Sequence, residues 1–101
     1  MNVEKLKKLK EEWEKKGILT TKEINRLYFF LFEITESCEK ISNRINKDIK
    51  NASKSSDSLN LANELIDFDI ELGIAIDYFK DARKFLNKVT DRLYKKYSEE
   101  S

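Results

Sequence analysis

The chain has no histidine and no proline, a single cysteine, and two glycines in 101 residues. Each shortage removes something. Without histidine there is no imidazole for acid–base or triad catalysis, and none for an ordinary zinc or haem site. With Cys38 alone no internal disulfide can form. Gly17 and Gly73 stand isolated, so there is no glycine-rich phosphate loop. The lack of proline and near lack of glycine remove the punctuation of a β-rich fold. No apolar run approaches the ~20 residues of a membrane span. The first sixteen residues are mostly lysine and glutamate, unlike a signal peptide. The expectation is a cofactor-free, non-catalytic cytoplasmic protein made of long helices.

What the sequence has in abundance is charge. Charged residues make up 39% of the chain, against a usual share of about 25%. The two signs nearly cancel to a net +1, so no global field recruits nucleic acid or an anionic membrane. The apolar 40% suffices for a modest core in a single domain spanning 1–101.

The apolar residues are ordered most regularly between Leu59 and Tyr97. Leu65, Leu72, Phe79, Leu86 and Leu93 recur every seventh position, interleaved with Leu61, Phe68, Ala75, Ala82 and Val89. Such a double series predicts a long helix, 59–97, with a packing seam along one side. A second long helix is predicted over 21–52. Its seam is Ile24, Leu27, Leu31, Ile34, Cys38, Ile41, Ile45 and Ala52, broken at Asp48 with Ile49 beside it. In that seam Cys38 reads as a small core residue. The polar loop 53–58 is too short for anything but an antiparallel hairpin folded near Ser55.

Charge placement supports the same pairing. The start of the second helix carries Glu23, Glu33, Glu36 and Glu39, and its end Lys40, Arg44, Lys47 and Lys50. The third begins with Asp57, Glu64, Asp67, Asp69 and Glu71 and ends with Arg83, Lys84, Lys88, Arg92, Lys95 and Lys96. Antiparallel packing sets opposite signs face to face, and parallel packing opposes like signs. This register places Cys38 opposite Gly73, predicting close backbone approach there, with a bend at Gly73 as the alternative.

Val3, Leu6, Leu9 and Trp13 form a narrow stripe on a short first helix, 2–16. Gly17 suits its C-terminus, and Thr20 with Glu23 forms a capping box for the next helix. The order Leu6, Leu9, then Gly17-Ile18-Leu19-Thr20-Thr21-Lys22-Glu23-Ile24 resembles the SHOCT (short C-terminal domain) helical-hairpin family over about residues 6–27. Tyr28-Phe29-Phe30-Leu31-Phe32 departs from that family's lysine-rich continuation. The resemblance implies oligomerisation or partner docking, not catalysis. Phe29 and Phe32 are expected to face Leu6, Leu9 and Trp13, with Phe85, Tyr94 and Tyr97 closing a three-helix core.

The expected fold is therefore all-α: a three-helix bundle with a short N-terminal helix packed on the base of a long antiparallel hairpin. Leu59, Ile66, Ile70 and Ile74 form a further stripe that the first helix is too short to cover. Uncovered apolar surface of this kind marks an interface. The stripe, with Asp67, Asp69 and Lys80 as its polar rim, is the candidate partner-binding site, and a homodimer completing a larger bundle is the expected occupant. One alternative is a small inhibitor or immunity-type protein of a phage or mobile element that binds a host protein. Another is a nucleic-acid accessory protein using Arg83, Lys84, Lys88, Arg92, Lys95 and Lys96. The carboxylate pairs Asp67/Glu71 and Asp77/Asp81 read as solvated faces rather than metal sites.

Overall fold

The computed structural model describes residues 3–54 and 57–100. Helix α1 (Val3–Lys16) leads through a four-residue turn to α2 (Thr21–Arg44). A π-turn (Ile45–Ile49) and one further α-turn, α3 (Lys50–Ser53), continue the same rod. Helix α4 (Ser58–Glu100) returns antiparallel along it. The fold is all-α, as expected. The expected hairpin turn at Ser55 and the first helix's start at Asn2 lie outside the described residues.

Local chemistry sets the helix ends. Gly17 adopts φ +65°, the left-handed region in which a Cβ is strained. The Glu23 N–H donates to Thr20 Oγ1 (3.1 Å), and the Thr20 N–H donates to Glu23 Oε1 (2.8 Å), completing the capping box. At the far end, Asp57 Oδ1 accepts the Leu59 N–H (3.0 Å) and caps α4.

The π-turn explains the break in the second helix's apolar pattern. Positions facing α4 advance by alternating threes and fours through Leu27, Phe30, Ile34, Ser37, Ile41 and Arg44. Continued unchanged, the series would turn Asp48 and Asn51 inward. A turn closed by i→i+5 bonds holds one residue more than an α-turn. The inward positions therefore slip by one, to half-buried Ile49 and buried Ala52, while Asp48 and Asn51 face solvent.

The seam keeps part of the expected set, with Ile24, Leu27 and Ala52 and the series Ala75, Ala82 and Val89 buried, but it is turned away from the rest. On α2 the buried residues between Leu27 and Arg44 are Phe30 and Ser37, whereas Cys38 and Ile45 are exposed. On α4 the series Ala75, Ala82 and Val89 is buried, but Leu65, Phe79 and Leu86 stay 48%, 41% and 47% exposed. Glu23, Arg44, Glu64 and Arg92 lie at the two ends of the contact, and Leu65, Phe79 and Leu86 lie on its flank.

Two expectations fail with that rotation. Cys38 is not a core residue, and a Cβ built on Gly73 meets nothing within 4 Å. The small side chains buried at the contact are those of Ala75 and Ala82 instead. Nor does α4 bend at Gly73. Its 43 residues span about 64 Å at 1.5 Å each, and the molecule is 66 Å long.

Helix α1 packs on α2, and among the described residues its backbone does not come close to that of α4. Leu6 and Ile24 are buried, and the Lys10 ammonium lies 5.2 Å from the Tyr28 ring centre. Tyr28 thus faces α1, with Phe32 stacked beside it, while Phe29 is exposed on the outer side of α2. The expected three-helix core at the base is correspondingly incomplete: Phe85 reaches Phe30 (6.0 Å between ring centres), but Tyr94 and Tyr97 remain 69% and 68% exposed.

Candidate protein-interaction surface

The contact between α2 and α4 has a polar side. At the base, Arg92 of α4 grips Glu23 through two bonds, Nε–H to Oε2 (2.7 Å) and Nη2–H to Oε1 (2.6 Å). The same Nη2 donates to the Ile18 carbonyl (3.2 Å), so one guanidinium ties α4 to the turn before α2 and to its cap. Glu23 is mostly shielded. The Arg92 bonds, aided by those from Thr20, hold its carboxyl below the usual range against the opposing effect of burial. In the middle, the nearby negative charge of Glu33, with a smaller effect of burial, pushes the Tyr78 phenol up from its ordinary value. Towards the tip, Arg44 Nη1 meets Glu64 Oε2 at 3.4 Å. Opposite signs do meet along the hairpin, as the charge pattern predicted.

The other sides of α4 are apolar and open. At about 100° per residue, Leu59, Ile66 and Ile70 point away from α2, and Ile74 lies at the edge of the same stripe. They are 67%, 57%, 56% and 45% exposed. Asp67 and Asp69 border the stripe and are exposed as well. A separate line, Leu65, Leu72, Phe79 and Leu86, runs along the flank. Antiparallel right-handed helices send the residue after each contact position to the same side of the hairpin. Cys38 and Ile45 of α2 therefore form the opposite bank of this flank. The tip half of α4 thus carries apolar residues on its flank and outer side as well as on the face that meets α2, with Asn60, Asn63, Asp67 and Glu71 forming a polar strip between. The seam Leu65–Leu72–Phe79–Leu86 showed in the sequence as periodicity; that it lies beside the hairpin contact, not within it, did not.

The six basic residues of the C-terminal half differ in their surroundings. Arg92 is committed to Glu23 and Ile18, and Arg83 and Lys84 share a shallow hollow with Asp77 and Asp81. Lys88, Lys95 and Lys96 are exposed. Among the described residues no group of three His, Cys, Asp or Glu side chains is placed to hold a metal, and no helix is long and apolar enough to cross a membrane. A mostly apolar, open hollow on α4 is lined by Thr90, Leu93, Tyr94 and Tyr97. No family model, curated protein or solved structure matches this chain.

Proposed function

We propose that this chain is a non-catalytic cytoplasmic protein-interaction module that self-associates by burying Leu59, Ile66, Ile70 and Ile74 against another helical surface. One observation carries the reading. These four residues remain about half exposed or more on a helix that has already packed one face against α2. A contiguous apolar stripe of this kind is an interface signature, whereas scattered single residues are not. Nothing else in the described chain reaches it. Helix α1 spans about 21 Å at 1.5 Å per residue, is held at the base by its turn, and lies against α2.

The mechanism is burial. Each large aliphatic side chain taken from water contributes about 1.5–3 kcal/mol at full burial, and Asp67, Asp69 and Lys80 stay wet at the rim. The SHOCT-like segment points the same way, since oligomerisation is what that resemblance implies. The test is the pair Ile66→Lys and Ile70→Lys in one chain. The expected result is a lower solution mass with unchanged helicity. An unchanged mass shows that the stripe is not the association surface. If wild type and variant are both monomers and only wild type binds a host protein, the inhibitor-type alternative is the correct reading.

A further inference from the structure

The flank line of α4 is a second surface, distinct from the Leu59–Ile74 stripe, and its chemistry specifies its occupant. Leu65, Leu72, Phe79 and Leu86 hold a strict seven-residue spacing over three heptads. Leu65, Phe79 and Leu86 are exposed, and Ile76, 49% exposed, widens the same flank. A line so regular matches a partner helix of equal spacing. Helix α1 lies on this side of the hairpin but stops against α2.

We infer that the occupant is the same flank of α4 from a second copy, running antiparallel about a twofold axis between Ala75 and Ile76. Two features bear on that midpoint. Over the four residues from Leu65 to Leu86 the apolar line pairs about it, so Leu65 meets Leu86 of the mate and Leu72 meets Phe79, while Leu93, next in the series, falls opposite Ser58. The balance of charge changes sign across it: residues 59–75 carry Glu64, Asp67, Asp69 and Glu71 and no base, and residues 76–92 carry Lys80, Arg83, Lys84, Lys88 and Arg92 against Asp77, Asp81 and Asp91. Antiparallel pairing brings Asp69, beside the line, within one residue of level with Arg83 of the mate. Parallel pairing opposes Asp69 to Asp69 and Arg83 to Arg83, which is unfavourable. A net charge of +1 per chain leaves little global repulsion to overcome. The interface is isologous, each chain offering the same patch. This inference rests on the reading that the chain self-associates, but it assigns a different face.

Cysteine crosslinking tests it, with Cys38→Ser removing the exposed native thiol. Ile76→Cys sits about half a residue from the axis and one residue from level with its own mate, so the two thiols meet. Leu65→Cys and its mate lie 21 residues apart along the pair, about 31 Å at 1.5 Å per residue. Mild oxidation is expected to crosslink Ile76→Cys alone, and to crosslink an equal mixture of Leu65→Cys and Leu86→Cys. Neither of those two should crosslink with itself. The pattern is expected to persist when Ile66→Lys and Ile70→Lys are added, which separates this face from the stripe. Helicity by circular dichroism confirms that each variant is folded. An Ile76→Cys chain that stays a free thiol overturns the inference, as does Leu65→Cys crosslinking to itself as readily as Ile76→Cys. Charge reversal gives a second readout: Asp69→Arg alone weakens the pair, and Asp69→Arg with Arg83→Asp restores it.

Discussion

Changing Glu23 to glutamine tests how the base of the hairpin is held. The amide can still accept the Thr20 N–H, so the capping box is largely kept, but the charge facing Arg92 is lost. Hydrogen bonds to charged groups contribute about 1.5–3 kcal/mol each in sheltered settings. Here the Arg92 side chain is 36% exposed and Glu23 13%, and solvent screening reduces that value. The expected loss is about 1–2 kcal/mol at neutral pH. Thr20→Ala, which spares the ion pair, should cost about 1 kcal/mol through the cap alone. The pH dependence separates the two. Because the folded-state pKa of Glu23 lies below its ordinary 4.5, its contribution is fully present above that value and is lost as pH falls through the lower folded one. Urea unfolding followed by circular dichroism should show wild type and Glu23→Gln converging in acid, while Thr20→Ala keeps most of its deficit. A Glu23→Gln deficit as large in acid as at neutral pH refutes the assignment, and no deficit at neutral pH refutes it outright.

Three further substitutions probe the fold. Gly73→Ala, placed in mid-helix with open space around its Cβ, should stabilise the folded chain by about 1 kcal/mol, read as a rise in melting temperature; a fall would mean that another backbone approaches there. Phe30→Ala removes a buried ring that touches Phe85 and should cost about 3–5 kcal/mol, measured by urea unfolding. Deleting Asp48 should convert the π-turn to an ordinary α-turn while keeping Ile49 and Ala52 inward, so stability is expected to hold; collapse of the tip on deletion would contradict the slipped-register account.

Much of this architecture is legible in the residues. Gly17 with the Thr20/Glu23 box marks the first turn, because local hydrogen bonds decide it. Opposed charge at the two ends fixes the hairpin as antiparallel, and the Glu23–Arg92 and Arg44–Glu64 pairs bear that out. The failure at Asp48 in an otherwise regular pattern marks where the π-turn falls. The rotation of the seam was not legible. Apolar periodicity shows where each helix's stripe is centred, but it does not show which partner lies there. In this chain the stripe centres fall beside the hairpin contact, so Leu65, Phe79 and Leu86 read as core and are open. Cys38 was misplaced for the same reason: Ser37, one position earlier, takes the buried place. For the Leu59–Ile74 stripe, the length of α1 was enough to expect exposure, since a short helix cannot cover a long hairpin.

The central claim is that the open apolar faces of α4 are where copies of this chain meet. Its most direct test is the solution mass of the wild type, by light scattering after gel filtration over a range of concentrations. The account predicts a mass above that of the 12.0 kDa chain, falling on dilution. A monomer that persists at high concentration contradicts it.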